Sequence, residues 1–198
     1  MQPMTQPPVA IERVGKSCVI RFARPEAKNP LSVETLDALE SALDSLVSES
    51  PECIVITGSG DTFASGANIR EVAALDPEAA AVFGKRGQDL MLKIREFPVP
   101  VIAAIDGYCF GGALDLAVAC RQRVSSSRSK FCHPGPKLGI ITGWGGTQLL
   151  PRLIGEKRAL EMLLTGKIVD AQEALRIGLV DLIDEDPVSA ALSYQGVT

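Results

Sequence analysis

Two glycine-centred segments hold the residues of this chain that are best suited to chemistry. They are FASGANIRE, from Phe63 to Glu71, and DGYCFGGALDLAVAC, from Asp106 to Cys120. Each places small residues where a strand is expected to pass into a helix, and there the first helical N–H groups have no partner inside the helix. Glycine also lets a ligand approach the main chain closely. Two such segments facing each other would direct two N–H donors at one oxygen, so the sequence favours acyl chemistry in an oxyanion hole.

Two titratable side chains could move protons near these segments. Asp115 lies on the first turn of a helix predicted for residues 112–119, where burial against an apolar pocket would raise the pKa of its carboxyl group. A simple interaction with the helix dipole is the alternative role. His133 is the only histidine, and it is either an acid–base group or a polar group packed against a proline turn. From Leu116 to Gly155 the sequence has no Asp or Glu.

Size and charge limit the classes of function. With 198 residues and 46% hydrophobic side chains, the chain suits one globular domain. We expect residues 1–8 to be a disordered N-terminal segment and residues 9–198 to form the core domain. The net charge of −4 argues against nucleic-acid binding, although Arg121, Arg123, Arg128 and Lys130 form a local basic cluster.

Cysteine usage and apolar runs indicate a cytoplasmic protein. The five cysteines lack metal-ligand spacing, so we interpret them as reduced thiols and expect no metal site. The N-terminal residues lack the pattern of a secretory signal. No apolar run reaches membrane-spanning length, and no membrane association is expected.

Strand and helix patterns alternate along the chain, and the short apolar strands suit burial on both faces. This order predicts an α/β fold with parallel pairing. Predicted strands cover residues 9–14, 17–22, 53–57, 101–105, 121–125, 129–132 and 179–183. One predicted helix begins after Ser32. Five more cover residues 76–97, 112–119, 147–154, 157–165 and 171–177.

Five ordered segments resemble the crotonase (enoyl-CoA hydratase/isomerase) superfamily. They are RPEAKNPLS, FASGANIRE, VPVIAAIDGYCFGGALDLAVACR, GWGGTQLLPRLIG and LTGKIVDAQEALRIGLVD. The resemblance as a whole extends roughly from Val9 to Asp184. The resemblance implies a spiral of repeated ββα units. It implies an acyl-CoA thioester as substrate, with coenzyme A as part of that substrate and no separate cofactor. It also implies a homotrimer or a hexamer.

The resemblance also assigns roles to particular residues. It implies that Ala67 and Gly112 supply the two oxyanion-hole N–H groups. Asp115 stands where hydratases of the family carry a catalytic glutamate, and Gly135 stands where they carry a second one. Asn68 replaces a common aspartate and is expected to make local hydrogen bonds, while Trp144 is expected to close the acyl pocket or pack on the following helix. The remaining expected substrate-binding positions are Ala27, Ser65, Ile69 and Gly111.

Three classes of function remain open at this point. The leading one is a lyase or isomerase that passes through a thioester enolate, and within it a decarboxylase is attractive because loss of carbon dioxide needs no general base. The second is a non-catalytic acyl-CoA binder or scaffold. The third is an RNA-binding relative, which the acidic balance disfavours. The family's C-terminal helical module, which helps to build the trimer, is expected to be shortened or missing.

Overall fold

The computed structural model describes residues 7–193, so most of the segment expected to be disordered lies outside the described residues. Ten strands occur in this part of the chain. They are β1 (Val9–Val14), β2 (Ser17–Phe22), β3 (Ile54–Thr57), β4 (Thr62–Ala64), β5 (Val101–Ile105), β6 (Tyr108–Phe110), β7 (Gln122–Ser125), β8 (Lys130–Cys132), β9 (Val169–Asp170) and β10 (Leu182–Ile183). Eight α-helices accompany them. They are α1 (Val33–Glu49), α2 (Ile69–Ala73), α3 (Pro77–Arg95), α4 (Gly112–Ala119), α5 (Gly146–Ile154), α6 (Glu156–Thr165), α7 (Ala171–Arg176) and α8 (Pro187–Ser193).

The strands form two sheets. The larger has the order β1-β2-β3-β5-β7-β10, and only its β1–β2 pair, joined by a two-residue turn, is antiparallel. The smaller has the order β4-β6-β8-β9, in which β4, β6 and β8 are parallel and β9 is antiparallel to β8. The expectation of an α/β fold with mainly parallel pairing is therefore confirmed.

Three successive ββα units build the spiral that the resemblance implied. In each unit the first strand joins the larger sheet, the second joins the smaller sheet, and a helix follows: β3–β4–α2, β5–β6–α4 and β7–β8–α5. Because β4, β6 and β8 are parallel, the segments that follow them emerge at one edge of the smaller sheet. In open α/β sheets, ligands bind at this carboxyl edge of the strands.

Side chains cap the N-termini of helices α1 and α3. The Ser32 hydroxyl accepts a hydrogen bond from the Thr35 N–H at 3.2 Å, and the Asp76 carboxylate accepts one from the Ala79 N–H at 2.8 Å. Helix α1 buries four leucines of its apolar stripe, while Val33 and Val47 near its two ends are exposed. The four leucines are Leu36, Leu39, Leu43 and Leu46.

Helix α8 covers the opposite face of the larger sheet and was not predicted. Alternate strand residues point to that face, where they pack with Ala191 of α8. These strand residues are Val19, Val55, Ile102, Ala104 and Val124. No helix within residues 7–193 combines the length and the apolar character needed to span a bilayer.

Candidate functional site

The three parallel strands of the smaller sheet lead directly into one cavity of about 250 Å³. Its lining includes Ser65 to Ala67 after β4, Gly111 and Gly112 after β6, and His133 to Gly135 after β8. Nine of the eleven residues predicted for the site line it. They are Ser65, Ala67, Ile69, Gly111, Gly112, Asp115, His133, Gly135 and Trp144. The parallel register of short strands therefore gathers residues that are far apart in the sequence.

The two glycine segments touch at Gly66 and Gly112. Gly66 has a φ of +86°, and a Cβ atom there would lie 2.6 Å from the Phe110 carbonyl oxygen and 3.0 Å from the Gly112 nitrogen. Only glycine combines this backbone conformation with so close an approach. Within residues 7–193, neither the Ala67 N–H nor the Gly112 N–H has a protein hydrogen-bond acceptor. Two unused amide donors are thus available beside one cavity.

Trp144 forms one wall of the cavity and is 3% exposed. Its indole ring packs on Gly87 of α3 and Gly112 of α4, and a Cβ atom at either glycine would collide with the ring. The Phe83 ring lies 5.3 Å from it between centroids. The indole therefore packs on α3 and α4 as well as forming part of the cavity wall, and it holds the backbone of Gly112 in place.

Asp115 is completely buried and faces the cavity. The Thr142 hydroxyl donates a hydrogen bond to its Oδ2 atom, while its Oδ1 atom has no hydrogen-bond partner among the described residues. Burial raises the pKa of Asp115 to about 7, against the lowering effects of Thr142 and of the Trp144 and Gly146 N–H groups. A carboxyl group with this pKa can both give and take a proton near neutral pH.

His133 is the second titratable group on the cavity wall, and its side chain is 3% exposed. Its Nε2 atom lies 3.4 Å from Asp115 Oδ1 and has no hydrogen-bond partner within residues 7–193. Burial lowers the pKa of His133 to about 4, so the imidazole is neutral at pH 7. Asp115 and His133 are the only Asp, Glu, His, Lys, Arg, Cys or Tyr side chains on the described lining.

Gly135 leaves no room for the glutamate that the family pattern has at this position. A Cβ atom there would collide with the backbone oxygen of Ile140, and the Ile140 N–H closes the same turn by donating to the Gly135 oxygen at 3.1 Å. The backbone of this turn would therefore have to move before a glutamate could occupy position 135.

This close packing predicts a stability difference between two glycines of one loop region. We expect Gly135→Ala to lower the free energy of unfolding by about 1–3 kcal/mol, since the clash is with backbone. The control is Gly143→Ala, because a Cβ atom at Gly143 meets nothing within 4 Å. Urea unfolding of the two variants measures the difference. Equal stability of the two variants would show that the Gly135 turn has room for a side chain.

Two predicted substrate-binding residues lie off the cavity lining. Ala27 ends a short 3-10 helix, Pro25–Ala27. Asn68 caps α2, where its Oδ1 accepts from the Arg70 N–H at 3.1 Å and its Nδ2 donates to Glu71 at 3.1 Å. Asn68 therefore has the local hydrogen-bonding role that was expected for it.

The basic cluster that the sequence suggested is partly neutralised. Arg123 is buried and bonded to Asp181 at 2.9 Å, and Arg128 pairs with Asp106. These pairs remove two of the four cations from any free basic surface.

Sequence reasoning missed several residues of the site. Thr142 contacts Asp115 from a glycine-rich loop, and no local pattern indicated that this hydroxyl turns inward. The apolar part of the wall was also missed, because its residues come from helices and loops without a motif. It consists of Val72, Leu75, Ala80, Phe83, Leu138, Ile140 and Ile141.

Comparison with known proteins agrees with this geometry. The family model described as enoyl-CoA hydratase/isomerase matches residues 13–191. A crotonyl-CoA hydratase of Syntrophomonas wolfei is 40% identical over 88% of this chain and 68% of its own length. A probable enoyl-CoA hydratase of Bacillus subtilis is 41% identical over 85% of this chain and 66% of its own length. The chain thus spans about two-thirds of the length of these curated relatives.

Solved structures show the same relationship. An enoyl-CoA hydratase from Thermoplasma volcanium superposes with a TM-score of 0.90 at 36% identity, covering 93% of this chain and 75% of that one. DspI of Pseudomonas aeruginosa superposes with a TM-score of 0.89 at 31% identity, covering 97% of this chain and 80% of that one. The chain therefore belongs to the enoyl-CoA hydratase/isomerase family, in the crotonase superfamily.

Proposed function

We propose that this chain acts on an acyl-CoA thioester and stabilises the thioester enolate with the Ala67 and Gly112 amides. The observation that carries the proposal is the pair of unused N–H donors beside one cavity, with Gly66 and Gly112 in contact. Donors aimed at a developing oxyanion lower the barrier because the site needs no reorganisation during the reaction. The apolar wall suits an uncharged acyl group.

Asp115 is the proposed proton carrier. As a carboxylate it removes a proton from the α-carbon of the thioester: the C–H bond breaks, an O–H bond forms on Asp115, and the electron pair moves to the oxygen held by the amides. As a carboxylic acid it returns the proton to the acyl chain. A pKa of about 7 makes this carboxylate a stronger base than an ordinary one. If the proton returns to a different carbon of the acyl chain, the reaction is an isomerisation. If a group leaves the acyl chain instead, the reaction is that of a lyase.

Hydration by two carboxylates is not the reaction that this lining favours. That mechanism holds and splits one water between two acids, whereas the described lining carries one carboxylate, and Gly135 has no room for another. We therefore expect proton exchange at the α-carbon to exceed water addition to a double bond. Exchange of the α-protons of butyryl-CoA in deuterated buffer, beside hydration of crotonyl-CoA, tests this order.

The rate of that exchange is expected to depend on pH. Since Asp115 must be ionised to act as a base, kcat/KM for exchange is expected to rise about tenfold per pH unit below pH 7 and to level off above it. Rates measured between pH 5 and 9 with the folded protein give the profile. A profile that is flat across pH 7 would remove Asp115 as the base.

A decarboxylase is the second candidate, favoured by the single carboxylate on the lining. Here loss of carbon dioxide creates the enolate, and protonated Asp115 supplies the proton. The rate would then fall as the pH rises through 7, opposite to the exchange reaction. A malonyl-type thioester is the substrate to assay.

A non-catalytic acyl-CoA binder is the remaining alternative. Calorimetric binding of acetyl-CoA without exchange, hydration or decarboxylation of any thioester in the panel would support it. The trimer or hexamer implied by the resemblance stays a prediction, which light scattering of the protein can test.

A further inference from the structure

The buried pair Asp115 and His133 leaves two polar atoms unexplained. Asp115 Oδ1 and His133 Nε2 are both buried, both without a hydrogen-bond partner among the described residues, and 3.4 Å apart. Buried polar atoms in folded proteins nearly always have partners, so each orphan atom asks for an explanation. The two atoms face each other at a separation a few tenths of an ångström beyond an ordinary hydrogen bond.

The hydrogen bond from Thr142 identifies which oxygen of the Asp115 carboxyl group has no partner. Thr142 already donates to Oδ2, so Oδ1 is the oxygen that faces the imidazole. A carboxylate Oδ1 opposite an unprotonated Nε2 would set two acceptors against each other. One proton between them converts this contact into an O–H donor and a nitrogen acceptor, and both groups are then uncharged, which suits a buried site.

We propose that Asp115 and His133 work as one acid–base pair, in which the proton taken up by Asp115 Oδ1 is held against Nε2 of a neutral His133. His133 then carries its own proton on Nδ1 and acts as a positioning residue for Asp115. It takes over part of what a second carboxylate at Gly135 would have done. The inference rests on the proposed function for its catalytic meaning, but the pair itself exists in the free protein and can be tested there.

The groups around Asp115 and His133 do not compete for the proton that the pair shares. Cys109 of β6 packs near Asp115, and burial raises the pKa of its thiol well above the ordinary value, so it stays neutral. Lys137 acts on Cys132, the residue before His133, and lowers the pKa of that thiol, while burial has the larger and opposite effect. The Trp144 and Gly146 N–H groups and the Thr142 hydroxyl favour the ionised form of Asp115.

The single histidine of the sequence makes the test direct. Protein labelled with ¹⁵N-histidine and free of any histidine tag gives one imidazole signal pair in long-range ¹H–¹⁵N spectra. At pH 6 we expect the Nδ1–H tautomer. Between pH 6 and 8 the Nε2 signal should move with a midpoint near 7, because Asp115 loses its proton there, while the imidazole itself remains neutral.

Two variants separate the pair from an isolated histidine. In Asp115→Asn the step near pH 7 should vanish. In Thr142→Val, which keeps the side-chain shape, the step should move to higher pH because the hydroxyl that favours the carboxylate is gone. An Nε2–H tautomer at pH 6, or a step that is unchanged in both variants, would overturn the proposal. Neither result depends on acyl-CoA, so failure of the pair is distinguishable from failure of the proposed function.

Discussion

Replacing the Ala67 amide by an ester is expected to lower kcat by about 10²–10³, and the same change at Gly112 by a similar factor. Lactic acid at position 67 and glycolic acid at position 112 remove one N–H each and leave the side chains unchanged. Because neither N–H has a protein acceptor within residues 7–193, folding should lose little. Turnover and α-proton exchange of each purified ester protein measure the effect.

Ester substitution is needed because an ordinary mutation at Gly112 would not isolate the donor. Any Cβ atom there collides with Trp144, so Gly112→Pro would displace the indole as well as delete the N–H. A control for the ester unit is lactic acid in place of Ala81, an exposed residue of α3 whose N–H, unlike the other two, belongs to the hydrogen bonding of a helix. It contains the same ester unit away from the cavity, and its kcat should stay within about twofold of the wild type. A kcat that is unchanged by the esters at positions 67 and 112 would refute the proposed roles of these amides.

Asp115→Asn is expected to lower turnover by at least about 10² and, at alkaline pH, to stabilise the protein. The loss of turnover follows because the amide cannot carry the proton. The gain in stability follows from burial: the pKa of Asp115 is about 7 in the folded chain and about 3.9 when unfolded. The stability that Asp115 contributes is therefore complete below pH 4 and is lost as the pH rises through 7.

The size of this second effect follows from the pKa difference. About three pKa units correspond to about 4 kcal/mol of unfolding free energy lost by the wild type between pH 4 and pH 8. The asparagine variant does not have this loss, so its stability relative to the wild type should rise over that range. A relative stability that is independent of pH would contradict the buried, raised-pKa carboxyl group.

The sequence predicted the larger sheet well because its strands carry their own signals. Residues 9–14, 17–22 and 101–105 have the predicted bounds, since apolar strands and clear turn residues mark them. The strand near Ile183 contains two residues rather than five, and α3 ends at Arg95 rather than at Phe97. Element ends depend on tertiary contacts that no local pattern shows.

Of the smaller sheet, only β8 was predicted from local patterns, as a strand over residues 129–132. Its strands β4 and β6 have three residues each and lie in segments that glycine makes look like turns. They are stable because they pair in parallel with each other and with β8, over large separations in the sequence. The positions of Ala67, Gly112 and His133 at one cavity follow from this pairing.

The site residues also divide into those that the sequence could predict and those that only the folded structure brings together. Asp115 was recognisable from its place three residues after Gly112 in a matched segment. The partner atoms around it were not, because Thr142 and His133 approach from other elements and no spacing rule connects them. The lack of space at Gly135 is likewise a property of the folded turn with Ile140.

A crystal structure with a bound, unreactive acyl-CoA analogue would show where the thioester oxygen lies. We expect this oxygen within about 2.7–3.1 Å of both the Ala67 and the Gly112 nitrogens, with Asp115 beside the α-carbon. A thioester oxygen bound elsewhere, or amide nitrogens of residues 67 and 112 directed away from it, would contradict the account.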